Sequence, residues 1–288
     1  KPSVVVRIGD PPVSKVVNQW LAQCGAEHIA VTQQPSLIDP DKVVTTHIVG
    51  SINELFMEMS RGADARSETE WISKWKQCEG SARTALDTTF AKQDQLTEPL
   101  CAVTVSEAVS VGSSIVVSSS MPVRDLEWFA PARDGVRVFS NRGVNGIDGV
   151  VSTAVGIALS SKTPTALLIG DIALLHDSNG LLNLIRRDVR LKIIVVNNEG
   201  GGIFSFLPQA QVMEGAQFEQ LFGTPHSVDF EALAKTHGIA FTWVATAEEL
   251  RRELGDTATS MIGVRTDRNK NVDDHNALYA AVAEELVR

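Results

Sequence analysis

One strand–helix–strand pattern constrains the fold of this chain more than any other stretch. It occupies residues 165–208, which read TALLIGDIALLHDSNGLLNLIRRDVRLKIIVVNNEGGGIFSFLP. A first apolar run ends in Gly170-Asp171, a helical pattern follows, and a second apolar run ends in Asn197-Asn198 before three glycines. Parallel neighbouring strands would bring Asp171 and Asn198 side by side at one edge of a sheet.

Apolar strand patterns alternate with helical patterns along the rest of the chain. We predict strands over 3–8, 28–31, 43–49, 114–118, 136–140, 165–169, 191–196, 240–244 and 260–265. We predict helices over 13–24, from 51 onward, and over 70–90, 104–111, 150–160, 230–237, 247–254 and 274–287. This alternation predicts an α/β fold with a doubly wound, mainly parallel sheet, preceded by a smaller α/β segment. A polar loop is predicted over 61–68, and we divide the chain into domains of 1–80 and 81–288.

Composition narrows the class of protein. The formal net charge of −9 argues against a surface for nucleic acid or anionic membrane, and we expect neither partner. A local basic cluster is predicted to be a solvated helix end; it comprises Arg186, Arg187, Arg190 and Lys192. Three scattered cysteines suit a reducing compartment, and the apolar runs are too short to span a bilayer. No signal peptide is visible, and the start at Lys1 without Met suggests a fragment of a longer chain.

Polar residues follow four successive predicted strands, at 118–120, 141–142, 170–171 and 197–198. Ligands of open α/β sheets bind beyond the carboxyl ends of the strands, so this recurrence predicts a binding site. Asp171 and Asn198 are hard oxygen donors suited to Mg²⁺ or Ca²⁺, and Mg²⁺ often completes its shell with phosphate and water.

Backbone groups near these residues favour a phosphate ligand. The glycines at 200–202 would let the backbone approach it closely, and a helix predicted to start near His176 would direct its amides towards it. The alternative is a pair of capped turns in a dehydrogenase-like sheet. Neither the P-loop pattern nor GxGxxG after the first strand is present, which disfavours both of those cofactor sites. We expect His176 to be a helix cap or a solvated residue, and His226, His237 and His275 show no ligand spacing.

Longer motifs carry a resemblance to a known family. The triplet at 170–172, followed after 24 residues by two asparagines, is similar to the thiamine-diphosphate motif, although Ile172 replaces its usual second glycine. The segments SSSMPVRD, SNRGVNGIDG, GDIALLHDSNGLL and NNEGGGIFSFLPQA resemble the 2-succinyl-5-enolpyruvyl-6-hydroxy-3-cyclohexene-1-carboxylate synthases of menaquinone and phylloquinone biosynthesis. The resemblance is strong from about residue 100 to the end, and weak over 1–80, the family's central domain.

The resemblance implies a thiamine-diphosphate-dependent transferase, a carboligase. It would decarboxylate 2-oxoglutarate and add the resulting carbanion equivalent to isochorismate. Thiamine diphosphate would be bound with Mg²⁺, or with Mn²⁺ in its place, through Asp171, Asn198 and the carbonyl of Gly200. Other cofactor-binding residues would be Ile147, as an apolar prop, and Gly170, Ile172 and Gly201. Substrate carboxylates would meet the catalytic group Ser120, Arg124 and Arg142, with Ile203, Phe204 and Leu207 as walls.

The resemblance also bears on assembly. It implies a cytoplasmic enzyme (plastid in a plant) that forms a homodimer or homotetramer through an amino-terminal domain. That domain carries the family's catalytic Glu and does not precede Lys1 here, so we expect the 288 residues alone to be inactive and to bind cofactor weakly. Two alternatives stay open: another thiamine-dependent decarboxylase or acetolactate-synthase relative, and a non-catalytic diphosphate-binding assembly domain. Arg124 and Arg142 argue against a small uncharged substrate.

Overall fold

Two units make up the chain in the computed structural model, which describes residues 1–63, 67–184, 187 and 189–288. The first unit is Lys1–Trp75 and the second is Lys76–Arg288. The division falls within a long helix, α3, which spans Glu70–Phe90 as predicted. The predicted boundary at residue 80 stays a proposal.

A small parallel sheet forms the first unit. Its strands are β1 (Val4–Ile8), β2 (Glu27–Thr32) and β3 (Thr46–Val49), in the order β1-β2-β3, and its helices are α1 (Lys15–Gln23) and α2 (Ile52–Arg61). The side chain of Ser51 caps α2 by accepting from the amide of Glu54. The third strand is shorter than predicted, because the amides of Val43 and Val44 donate to the Asp39 carboxylate instead of to a neighbouring strand.

A six-stranded parallel sheet forms the second unit, in the order β5-β4-β6-β7-β9-β8. The strands are β4 (Ser114–Val117), β5 (Arg137–Phe139), β6 (Thr165–Gly170), β7 (Leu191–Asn197), β8 (Ala240–Val244) and β9 (Ser260–Arg265). The longer helices are α4 (Glu98–Ala108), α5 (Met121–Phe129), α6 (Val150–Ser161), α10 (Phe230–Thr236), α11 (Ala247–Leu254) and α12 (Arg268–Leu286). The shorter ones are α7 (Asp171–His176), α8 (Gln209–Val212) and α9 (Gly215–Phe218), with 3₁₀ turns at Ser178–Leu184 and Gly202–Phe206 and a π turn at Glu219–Gly223.

The central strands are buried on both faces. Leu167 and Ile169 of β6 belong to a core cluster with α6, while Ala166 and Leu168, which alternate with them, are equally buried. Continuous apolar strands of this kind are typical of parallel sheets covered by helices on both sides. The predicted α/β class is therefore confirmed.

Three helix predictions were wrong in their starts. Helix α4 begins at Glu98 rather than Thr104, and α12 begins at Arg268 rather than Asp274. Helix α12 begins with polar residues, of which Arg268 and Asn271 are buried, whereas after Glu98 helix α4 begins with a continuous buried apolar run that has no helical period; in neither case did the apolar period reveal the first turns. Helix α7 ends at His176 rather than starting there, which places its first residue, Asp171, directly at the end of β6.

Other sequence predictions concern the surface. Residues 64–66 of the predicted loop, and Arg186 of the basic cluster, lie outside the described residues. Lys192 was wrongly included in a solvated cluster: it is buried in β7, with Nζ 2.7 Å from Asp256 Oδ1 and 3.0 Å from Ser260 Oγ. In the described part of the chain, every helix is too short or too polar to cross a bilayer.

Candidate functional site

A cavity of about 370 Å³ lies at the carboxyl ends of β4, β6 and β7. The chain runs from β4 to β5 on one side and then returns to β6 on the other side of β4, so the cavity sits where the strand order reverses. Most of the predicted site residues line it: Ser120, Arg124, Arg142, Ile147, Gly170, Asp171, Ile172, Asn198, Gly200, Gly201, Ile203 and Phe204. The fold therefore brings the predicted residues at the strand ends together around one cavity.

Asp171 is a buried carboxylate held by backbone amides. Its Oδ1 accepts from the amide of Ile172 at 2.7 Å, and its Oδ2 accepts from the amides of Asn198 at 3.1 Å and Gly200 at 3.0 Å. Burial raises the pKa of Asp171, while the amides of Ile172 and Gly200 and the ring of His226 oppose the rise. The carboxylate thereby fixes the loop after β7 against the end of β6.

Asn198 presents one end of its amide to a partner and the other end to none. Its Nδ2 donates to Glu98 Oε1 at 2.7 Å. Its Oδ1 is buried and has no hydrogen-bond partner among the described residues. A buried polar oxygen without a partner is costly, so it marks a place for a ligand that accepts electron pairs. A divalent cation is such a ligand, and the neighbouring Asp171 provides a second hard oxygen.

The glycines after Asn198 leave room for the neighbouring backbone at Gly223 and for the Asn198 side chain. Gly200 has φ of 144°, and a Cβ there would overlap the carbonyl of Gly223. A Cβ at Gly202 would lie 2.6 Å from Asn198 Nδ2. Both positions therefore require glycine, and the loop brings its own backbone against the cavity.

Two guanidinium groups line the opposite wall. Arg124 Nη1 donates to the carbonyl of Ser120 at 2.6 Å, while Arg142 Nη1 is buried without a partner among the described residues. Burial, and then the charge of Arg142, lower the pKa of Arg124, and both residues line the cavity. Ser120 itself has φ of 75°, an uncommon conformation for a residue other than glycine. Two neighbouring cations in a cavity define a place for an anion.

The apolar residues divide into two groups. Ile147 packs against the core cluster, and Phe204 lies with its ring centroid 5.2 Å from that of Phe222, both Ile147 and Phe204 lining the cavity. Leu207 is 40% exposed and lies outside the cavity wall, so its predicted role as a substrate wall stays a prediction without structural support.

Three polar residues of this region were missed from sequence. Glu98 is 4% exposed and lines the cavity; burial, and then the charge of Asp125, raise its pKa from 4.5 to about 7. His226 Nε2 lies 3.2 Å from Asp171 Oδ2, and His275 is fully buried against Asp125. The Thr-Glu-Pro triplet at 97–99 has the cap and proline signals of a helix start and could have revealed α4. The histidines carry no such signal.

The fold and the site define a class of protein. Residues 125–264 match the model of the C-terminal TPP-binding domain of the thiamine pyrophosphate enzymes. That part of the chain is therefore similar to a thiamine-diphosphate-binding domain, and most residues that line the cavity lie within the matched range, while Glu98, Ser120 and Arg124 precede it.

Particular relatives narrow the class. The chain is 42% identical, over 99% of its length, to a 2-succinyl-5-enolpyruvyl-6-hydroxy-3-cyclohexene-1-carboxylate synthase from Myxococcus xanthus, of which it covers 49%. A protein of the same name from Bacillus cytotoxicus is 36% identical over 99% of this chain, which covers 49% of that protein. Another, from Rubrobacter xylanophilus, is 37% identical over 98% of this chain, which covers 50% of that protein. The chain thus spans about half the length of the curated relatives it matches. These matches confirm the resemblance that the motifs indicated.

Proposed function

We propose that this chain is the carboxyl-terminal part of a thiamine-diphosphate-dependent synthase of menaquinone or phylloquinone biosynthesis. The full-length enzyme decarboxylates 2-oxoglutarate and adds the four-carbon remainder to isochorismate, giving the product for which the relatives are named. The matched TPP-binding domain and the similarity of the whole chain to those relatives support this assignment.

The observation that carries the proposal is the unpartnered Asn198 Oδ1 beside Asp171. Asp171, Asn198 Oδ1 and the Gly200 carbonyl hold Mg²⁺, or Mn²⁺ in its place, and the cation holds the diphosphate. The Gly200 carbonyl accepts one hydrogen bond, from the amide of Gly202, and keeps a second lone pair for the cation. Few protein ligands are typical of Mg²⁺ when phosphate completes its shell.

The other residues of the cavity orient cofactor and substrate. When bound, thiamine diphosphate supplies the nucleophilic carbon and the electron sink for the decarboxylation. Gly170, Ile172 and Gly201, which line the cavity, would leave room for the diphosphate, while Ile147 would support the cofactor from the apolar side. Ile203 and Phe204 would exclude water from the reacting carbon.

Both substrates are dicarboxylates, which fits the paired cations. Arg142 offers a buried N–H without a partner, and Arg124 offers the guanidinium nitrogens that do not bind Ser120. A guanidinium fork matches a carboxylate in geometry as well as charge. Ser120 completes the group that positions the substrate for addition. A small uncharged substrate would leave both cations without a counter-ion.

Assembly and location follow from the same proposal. The full-length enzyme is a cytoplasmic homodimer or homotetramer, formed through an amino-terminal domain that also carries the carboxylate acting on the thiamine ring. The share of the relatives' length that this chain covers supports a further domain in the full-length enzyme.

The test is turnover by the full-length enzyme with thiamine diphosphate and Mg²⁺. We expect carbon dioxide release from 2-oxoglutarate with isochorismate, and none from pyruvate. Arg142→Met should raise the KM for one of the dicarboxylates about tenfold or more, because a hydrogen bond to a charged group contributes about 1.5–3 kcal/mol.

Arg252→Met is the control, since Arg252 is an exposed residue of α11 that does not line the cavity. Equal turnover of pyruvate would favour the acetolactate-synthase type instead. Absence of turnover with every 2-oxo acid would favour a non-catalytic diphosphate-binding domain.

A further inference from the structure

Glu98 is a buried carboxylate to which the proposed function gives no role. It is the first residue of α4, and its Oε1 accepts from Asn198 Nδ2 at 2.7 Å and from Thr266 Oγ1 at 3.3 Å. Glu98 and Asn198 are 100 positions apart in sequence, so the contact exists only in the folded chain. Glu98 and Asn198 both line the cavity.

The contact determines which way the Asn198 amide faces. An amide side chain carries a donor at one end and an acceptor at the other, and the two orientations differ by a rotation of half a turn. A carboxyl oxygen that accepts hydrogen bonds favours the NH₂ end of Asn198 over its carbonyl end. Oδ1 is thereby directed away from Glu98 and left without a partner.

Neighbouring groups leave Asn198 little other freedom. Its backbone amide is held by Asp171 Oδ2 at 3.1 Å, and its Nδ2 packs so closely on Gly202 that a Cβ there would lie 2.6 Å away. The side chain is therefore confined between Glu98 and the glycine loop. The amide orientation is the remaining freedom, and Glu98 decides it.

We propose that Glu98 is a positioning residue that holds the Asn198 amide with Oδ1 towards the divalent cation. The inference rests on the proposed function for the presence of that cation. It also explains why residue 198 is an asparagine: a carboxyl group in its place would bring two hydrogen-bond acceptors face to face at Glu98, with no N–H donor between them. Partners that orient a metal ligand are typically needed for metal affinity.

Mn²⁺ binding to the full-length enzyme in the presence of thiamine diphosphate tests the proposal, with electron paramagnetic resonance to count free Mn²⁺. Glu98→Leu should raise the Mn²⁺ dissociation constant about tenfold or more. Glu98→Gln should stay within about twofold of wild type, because its amide oxygen still accepts from Asn198 and Thr266. Thr266→Val, which keeps the Glu98–Asn198 contact, is the matched control and should also stay within about twofold.

A double-mutant cycle keeps the proposal testable if Glu98→Leu does not fold. In the Asn198→Asp background, Glu98→Gln supplies the missing N–H donor and should lower the Mn²⁺ dissociation constant about tenfold, while it changes little in the wild-type background. Equal effects in both backgrounds, or wild-type affinity of Glu98→Leu, would overturn the positioning role and leave the proposed function intact. Failure of the wild type itself to bind Mn²⁺ with thiamine diphosphate would overturn both.

Discussion

A buried ion pair joins the helix that carries Arg124 to the last helix of the chain. His275 Nε2 lies 2.7 Å from Asp125 Oδ1, and His275 Nδ1 lies 2.8 Å from the carbonyl oxygen of Asn271. Both ring nitrogens face acceptors, so both carry a proton and the ring is charged. Burial lowers the pKa of His275, but the hydrogen bond and charge of Asp125 outweigh it, and the pKa lies above its ordinary 6.5. The pair holds α5, and with it Arg124, in place.

Replacing His275 with Gln should destabilise the protein by about 3–5 kcal/mol at neutral or lower pH, because Asp125 is left without its buried partner. The folded pKa of His275 is raised, so its contribution is fully present below about pH 6.5 and is lost as pH rises through the folded value. The difference in thermal unfolding midpoint between wild type and His275→Gln should therefore narrow from about pH 6 to about pH 9.

The exposed His176 gives the matched control, and His176→Gln should leave the midpoint unchanged at both pH values. A His275→Gln difference that stays constant across this range would contradict a charged imidazole in the folded protein.

Among single residues, the sequence could predict those whose place in the site follows from their position at the end of a strand. Asp171 and Asn198 follow apolar strands directly, and parallel pairing alone brings them together. Glu98 and His275 could not be predicted, because their partners lie 100 and 150 positions away. Which distant side chains meet depends on how the helices pack, and no local pattern records that.

Among the elements, the loop after β7 has the strictest requirements. Gly200 combines a φ of 144° with a contact to the Gly223 carbonyl that excludes a Cβ. Arg268 Nη1 also donates to that carbonyl, at 2.7 Å, so the segment opposite Gly200 is itself held in place. The loop can therefore accommodate a side chain at 200 only by moving away from Asp171.

Gly200→Ala should destabilise the protein by at least about 1–3 kcal/mol, the usual cost of a strained backbone conformation, and lower the thermal unfolding midpoint. Gly156→Ala is the matched control, because Gly156 lies in α6 with open space around its Cα. A helical Gly→Ala change should stabilise by about 0.5–1 kcal/mol. Equal midpoints for the two variants would show that the loop tolerates a side chain at 200.

Element prediction succeeded where the apolar run or period reaches the ends of the element, and failed where it does not. Strands β8 and β9 and helices α3 and α11 have the predicted bounds, since their apolar runs or periods extend to their ends. Helix α12 begins with polar residues that the fold buries, such as Arg268 and Asn271, and helix α4 begins with the buried Glu98 followed by an apolar run without a helical period. A polar residue that becomes buried is invisible to hydrophobic periodicity.

For the whole molecule, the α/β class and the edge that holds the site could be predicted from alternation and polar strand ends. The strand order could not, because β9 lies between β7 and β8 although it follows both in the chain. The cavity likewise forms only in the folded chain, because Glu98, Arg142 and Asn198, which line it, come from three separate segments.

Calorimetric titration of the full-length enzyme with thiamine diphosphate, in Mg²⁺ and again after chelation, tests the assignment of the cavity most directly. We expect Mg²⁺-dependent binding in wild type, and its loss by about 100-fold or more in Asp171→Ala, because a removed metal ligand costs more than a removed supporting group. Asp273→Ala, an exposed carboxylate of α12, should bind as wild type does. Unchanged affinity in Asp171→Ala would contradict a cation site at the ends of β6 and β7.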